Sequence, residues 1–215
     1  MSRLTDLYPH VLGHITTIEA TYDICRMAIE RGIPGDFVEC GVYAGAQSAA
    51  MARAIMDYEA LTGTRYALND SGKRVHLFDS FSGFPEFGEH DEQLAAGGWK
   101  AGDTAVSLDD VRANMKRWGI PDELLVYHQG WLEDTVPSAV REEGRFARHN
   151  WLARISVLRL DADLYESTKI CMEQLYPLVS PGGWVIVDDW NLDGCRKAVT
   201  EFVVPAPIMW RIPNK

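Results

Sequence analysis

Five short apolar runs recur along the 215-residue chain: Phe37 to Cys40, Val75 to Phe78, Leu124 to His128, Arg154 to Leu160 and Trp184 to Val187. Helix-patterned stretches separate most of them. Short strands alternating with helices imply a parallel sheet with helices on both faces, an α/β fold. In such open sheets ligands bind just beyond the carboxyl ends of the strands. Four of the five runs end in an acid there: Glu39, Asp79, Asp161 and the pair Asp188-Asp189.

The intervening segments read as follows. His14 to Gly32 is expected to be helical, with Thr16 and Glu19 as a capping box and Ile15, Ile18, Tyr22, Cys25 and Ile29 on one face. Residues 1–34 then form an N-terminal helical segment. Gln47 to Ala60 is a second helix, and Thr62 to Arg74 a polar connector. Ser80 to Ser107 holds five glycines and little periodicity. A loop of that length inside a compact domain suits an active-site lid. Ser107 with Asp110 caps a helix to about Trp118. Asp163 to Tyr176 is helical, followed by a turn at Pro181-Gly182-Gly183. Asp193 caps a last helix to about Val203, and Ile208 to Ile212 is a final strand.

Composition narrows the function. The chain carries 21 Lys and Arg against 31 Asp and Glu, a net charge of −10. Binding to a phosphate backbone runs on clustered basic residues, so nucleic acid is an unsuited partner. No apolar run approaches a membrane span, and Met1 to His10 lacks the apolar stretch of a signal peptide. The four cysteines contain no CxxC pair. Free thiols in a cytoplasmic, reducing setting are expected.

At the first strand end, Glu39-x-Gly41-x-x-x-Gly45 allows a tight turn and close backbone approach to a ligand. A dinucleotide loop would place glycine where Tyr43 stands, and Glu39 would repel a pyrophosphate. An acid beside a glycine turn suits a sulfonium such as S-adenosylmethionine. A bare strand-to-helix turn remains open. Asp79 suits a pair of ribose hydroxyls, or a turn. Trp131 suits an adenine face, or the core. Asp161, Asp188 and Asp189 converge if the fourth and fifth strands are neighbours. Three such carboxylates need a counter-charge. Oxygen-only ligands favour Mg²⁺, with Mn²⁺ also suitable. Ion pairs with Arg159 or Lys169 are the competing account. Asp163 stands open between a proton acceptor and the cap of a box with Glu166. Of the histidines, His90 and His128 are placed to approach a substrate. Phe84, Phe87, Trp99 and Trp190 suggest an apolar surface over the pocket.

Four segments, FVECGVYAG (37–45), VHLFDSFSGFPE (75–86), LRLDADLYESTK (158–169) and GGWVIVDDW (182–190), together resemble the macrocin O-methyltransferase (TylF/MycF/NovP-like) family. The resemblance runs from about residue 30 to 203. It implies a Rossmann-like class I methyltransferase fold, a mostly parallel seven-stranded sheet with the fourth strand between the first and fifth. It implies a single domain that uses S-adenosylmethionine and Mg²⁺ to methylate a hydroxyl of a small natural product, a sugar or a phenol. By matching motifs, Asp161, Asp188 and Asp189 take the metal positions and Asp163 the catalytic base. Glu39, Gly41, Val42, Tyr43, Gly45, Ser48, Asp79, Ser80, Gln129, Gly130, Trp131 and Asp161 take cofactor positions, with Ser107 just after the lid. Nitrogen or carbon methylation, a nicotinamide oxidoreductase and a non-catalytic binding protein are the competing classes. The short N-terminal segment and the stop at Ile212-Pro213-Asn214-Lys215 depart from the family, which leaves acceptor identity and a homo-oligomer (a dimer) open.

Overall fold

The computed structural model describes residues 4–63, 73–140, 152–202 and 209–211. The strands are β1 (Asp36–Cys40), β2 (Val75–Asp79), β3 (Leu125–Gln129), β4 (Ile155–Leu160), β5 (Val179–Val187) and β6 (Met209–Arg211). They form one sheet in the order β3-β2-β1-β4-β5-β6, and every pairing is parallel. The expected Rossmann-like α/β sheet is therefore present, with β4 between β1 and β5. Six strands lie among the described residues; a seventh is not shown.

The helices are α1 (Ile15–Glu30), α2 (Ala46–Thr62), α3 (Glu92–Ala96), α4 (Leu108–Arg117), α5 (Leu132–Val140), α6 (Tyr165–Leu175) and α7 (Asp193–Glu201). Strand side chains alternate between faces, and here both faces are covered, so the strands read as nearly continuous apolar runs. Phe37, Leu77, Val157 and Ile186 pack against α1, α2 and α4. Val38, Phe78, Leu158 and Val187 pack against α5, α6 and α7. The four cysteines are buried free thiols. At the amino edge, the buried Lys73 ammonium donates to the Ile33 and Gly35 carbonyls, both at 2.7 Å, and to Ser156 Oγ at 2.9 Å. No helix of the described residues is long and apolar enough to cross a membrane.

Several local expectations change. The α1 cap is His14, whose Nδ1 accepts from the Thr16 N–H at 3.3 Å, so Thr16 and Glu19 form no capping box. Ile15 points outward, 43% exposed. The loop after β2 contains the short helix α3, and its end carries the expected cap: Ser107 Oγ accepts from the Asp110 N–H at 3.2 Å. Helix α5 has no counterpart among the segments read from periodicity, because Pro137 interrupts a nine-residue pattern. Pro181-Gly182-Gly183 runs inside β5 beside a register shift, not as a separate turn. α7 begins at Asp193, with Leu192 as its cap residue. Residues 64–72 of the connector, the end of the last helix at Val203, and the flanks of β6 lie outside the described residues.

Candidate active site at the carboxyl edge of the sheet

Parallel register brings the acids together. Leu160 pairs with Cys40 on one side and Val187 on the other. The next residue of each chain segment therefore emerges at the same edge. The Asp161 N–H donates to the Cys40 carbonyl and the Asp188 N–H to the Leu160 carbonyl, both at 2.9 Å. Asp161, Asp188 and Asp189 each offer a carboxylate oxygen, all within 4.8 Å of one another. The metal reading and the ion-pair reading both draw on this cluster. Arg159, fully buried below it, lies 2.6 Å from Asp161 Oδ2, 3.2 Å from Glu39 Oε1 and 3.2 Å from Asp188 Oδ1. One guanidinium neutralises one charge. Five carboxyl groups (Glu39, Asp161, Asp163, Asp188 and Asp189) gather around it. The donor set is oxygen-only and carries excess negative charge, which fits a hard divalent cation.

The crowding shows in the acidities. Burial, chiefly, pushes the Asp163 carboxyl up to about 8, and the neighbouring Asp161 charge adds to it. Burial pushes Glu39 up to about 7 against the pull of Arg159. Burial also raises Asp161 and Asp189 well above the usual carboxylate range, with Arg159 opposing at Asp161 and Asp163 adding at Asp189. Native carboxyls with raised pKa hold protons that the unfolded chain has released above roughly pH 4, so raising the pH favours unfolding. With divalent cations chelated, the melting temperature is expected to fall between about pH 5 and pH 8, and Mg²⁺ is expected to flatten that slope. A chelated protein whose melting temperature holds or rises across that window would contradict the crowding.

Asp163 does not cap α6. Leu164 occupies the cap position and no side-chain cap bond forms there. Asp163 sits in the left-handed region, φ +57°, and its N–H donates to Asp189 Oδ2 at 3.0 Å. Among the described residues the other non-glycine positions with positive φ are Tyr43, Phe81 and Thr104. Tyr43, Thr104 and Asp163 all line one cavity, and strained backbone of this kind clusters at ligand sites.

That cavity measures about 560 Å³, enough for a small-molecule ligand. Gly41, Val42, Tyr43, Asp79, Ser80 and Trp131 line it, together with Asp161, Asp163, Asp188 and Asp189. Gly41 has φ +85°, and a Cβ there would lie 1.9 Å from the Asp161 carbonyl oxygen. Gly41→Ala is therefore expected to cost at least ~3 kcal/mol or to prevent folding, read by chemical denaturation. Near-normal stability would mean that β1 and β4 do not approach so closely. Asp79 accepts N–H bonds from Val42 at 2.6 Å, Tyr43 at 3.2 Å and Phe81 at 2.7 Å. Its carboxylate thus shapes the glycine loop. With three bonds already accepted, it keeps room for about one further donor.

Other expected cofactor residues stand off the cavity. Glu39 is fully buried and accepts a short hydrogen bond from the equally buried Ser48 hydroxyl, bracing the turn from behind. Gly45 starts α2, where a Cβ would meet Met115 Cε at 2.8 Å. Gln129 is exposed. Gly130, φ +142°, turns the chain toward Trp131. Ser107 is committed to its cap. Conversely, Leu12, Gly13, His14 and Thr17 line the cavity, with Gly83, Phe84, Pro85 and Thr104 from the loop after β2. The N-terminal four carry no motif; only the packing of α1 on α2 brings them there. Phe84 reaches the wall, with Phe87 and Trp99 packed edge-on against it at 5.7 and 6.0 Å. Trp190 instead is half-buried and packs against the core beneath α5–α7. His128 is stacked on Phe78, 3.9 Å between ring centres, and burial with His76 nearby pushes it down to about 3. His90 lies on Tyr165. Neither histidine lines the cavity.

The profile of the macrocin-O-methyltransferase (TylF) family matches residues 16–210. An 8-demethyl-8-(2,3-dimethoxy-α-L-rhamnosyl)-tetracenomycin-C 4′-O-methyltransferase from Streptomyces olivaceus is 39% identical over 175 residues, 80% of this chain and 59% of that protein. A mycinamicin III 3″-O-methyltransferase from Micromonospora griseorubida is 34% identical over 180 residues, 81% of this chain and 63% of that protein. The structure of the O-methyltransferase NovP superposes with a TM-score of 0.74 at 32% identity, covering 90% of this chain and 73% of NovP. The chain thus spans about 60% of the length of these two curated relatives. With a family profile over nearly its whole length and an acidic cavity at the strand ends, this chain belongs to the macrocin-O-methyltransferase (TylF) family.

Proposed function

We propose that this protein transfers the methyl group of S-adenosylmethionine to a hydroxyl of a small natural product, a sugar or a phenol, with a divalent cation, Mg²⁺ or Mn²⁺. The observation that carries the reading is Asp163, held beside three converging aspartates on the wall of a cavity that also exposes a glycine loop. The oxygen specificity rests on the relatives, which are named as O-methyltransferases of glycosylated natural products.

In this reading the Gly41–Tyr43 backbone, Ser80 and Asp79 hold the methyl donor, and the partly exposed Trp131 indole offers a face for its adenine. Asp161, Asp188 and Asp189 would hold the cation, which when bound supplies positive charge that acidifies an acceptor hydroxyl. Asp163 takes the hydroxyl proton. The oxygen then bonds to the methyl carbon as the carbon–sulfur bond breaks, and S-adenosylhomocysteine leaves. Holding both reactants in line supplies much of the rate. Phe84 and the 80–107 segment form a lid that excludes water. The chain works as a methyltransferase domain in the cytoplasm.

Calorimetry with S-adenosylmethionine, followed by methyl-labelled assay with Mg²⁺ on mycinamicin III and on the rhamnosylated tetracenomycin, tests the reading. Saturable donor binding and label on oxygen are expected. A cavity that binds NAD and not S-adenosylmethionine defeats it, and label on nitrogen or carbon redirects it.

A further inference from the structure

The segment between β2 and α4 is fastened to the site by two side chains that the mechanism above does not use. Asp91 is buried, 4% exposed, although it is charged and lies in a loop. Its Oδ1 accepts from the Tyr165 N–H at 2.9 Å, and its Oδ2 accepts from the Gly88 N–H at 3.1 Å. Asp91 thereby supplies the α6 cap that Asp163 and Leu164 do not. Two residues later, Gln93 Oε1 accepts from the Asp193 N–H at 2.8 Å, the first residue of α7. The fit is close. A Cβ at Gly194 would stand 2.6 Å from Asp91 Oδ1 and 2.9 Å from the His90 carbonyl oxygen. The His90 ring lies edge-on to Tyr165, 4.4 Å between centres.

These contacts bracket Asp163. On one side its own N–H is held by Asp189. On the other, the Tyr165 N–H is held by Asp91. Between those anchors lie Asp163, in its strained φ, and Leu164. A strained turn persists when its surroundings over-determine it. We infer that Asp91 is a positioning residue: by capping α6 it sets the Asp163 carboxyl against the aspartate trio, so that docking of the 86–98 segment and alignment of Asp163 are one event. The inference rests on the reading of Asp163 as proton acceptor and adds a residue through which the lid acts on it.

Hydrogen exchange followed by mass spectrometry tests the coupling, on wild type, Asp91→Ala and Asp91→Leu. Exchange in residues 161–168 and 86–98 is expected to accelerate together, on the order of tenfold, the effect of losing one buried hydrogen bond. Exchange in β4 is expected to hold, which separates local release from unfolding; if Asp91→Ala unfolds, Asp91→Leu, which keeps the bulk and offers no acceptor, decides. Gln93→Ala is expected to loosen 190–194 and spare 161–168. Acceleration confined to 86–98, or none at all, overturns the inference. In the labelled-methyl assay, Asp91→Leu is expected to lower kcat about tenfold with the KM for S-adenosylmethionine unchanged, and to cost nothing further in an Asp163→Asn background. Additive losses overturn it. A fully active Asp163→Asn would instead remove the base reading and leave the exchange coupling standing.

Discussion

Treatment with EDTA is expected to reduce methyl transfer at least ~100-fold while binding of S-adenosylmethionine survives. The reason is charge. Three carboxylates share a space under 5 Å across, and Arg159 is already divided among Asp161, Asp188 and the buried Glu39. Such a cluster has no cheap ionised state without a further positive charge. A hydroxyl acceptor makes the need greater, because a phenol loses its proton near pH 10 and a sugar hydroxyl far above that. In the function proposed above, donor binding draws on the Gly41–Tyr43 turn with Asp79, Ser80 and Trp131, none of them a member of the aspartate trio. Calorimetry and turnover should therefore separate. Mn²⁺ is expected to restore activity and Zn²⁺ to restore it poorly, given the oxygen-only set. Undiminished turnover in EDTA would mean that Arg159 suffices as the counter-charge.

Asp163→Asn is expected to lower kcat by roughly 10²- to 10⁴-fold, the usual range for a general base, with little change in the melting temperature. The stability half of this expectation comes from the structure. A capping aspartate lost from α6 would cost about 1 kcal/mol. Asp163 makes no such cap, since Leu164 holds that position and Asp91 binds the Tyr165 N–H. Its carboxyl is instead crowded by Asp161 and Asp188, so removing its charge relieves repulsion. With divalent cations chelated, the variant is expected to melt at or above the wild type at pH 8. A variant that keeps its turnover and melts lower would return Asp163 to a structural role.

Local rules succeeded where the deciding contacts lie within a few residues. Ser107 and Asp110 form their cap as spaced, and the apolar runs are strands, because these depend on hydrogen bonds and burial that any parallel sheet supplies. The same rules failed where a distant group offered a better partner. Asp163-x-x-Glu166 has the spacing of a capping box, yet Asp91, more than seventy residues earlier, holds the α6 N–H. Glu39 ends its strand like the other acids. However, it faces α2 and the Arg159 guanidinium, so it is buried behind the loop it was expected to serve. Pro137 hid α5, since a short helix broken by proline carries too little periodicity to stand out.

Order along the chain was enough to establish a parallel α/β sheet, acids at its carboxyl edge and the residues that resemble a methyltransferase, because alternation of short apolar runs with amphipathic stretches has few other packed solutions. Three-dimensional packing decided which of those acids meet. Strand order seats β4 between β1 and β5 and aligns Leu160 with Val187, so Asp161 faces Asp188 and Asp189, whereas Glu39, one residue short of the end of β1, stays buried and meets the cluster through Arg159. It also brought Leu12, His14 and Asp91 to the site with no motif to announce them. Adjacency across a sheet is a property of hydrogen-bond register between segments distant in sequence, and spacing along one segment carries no record of it.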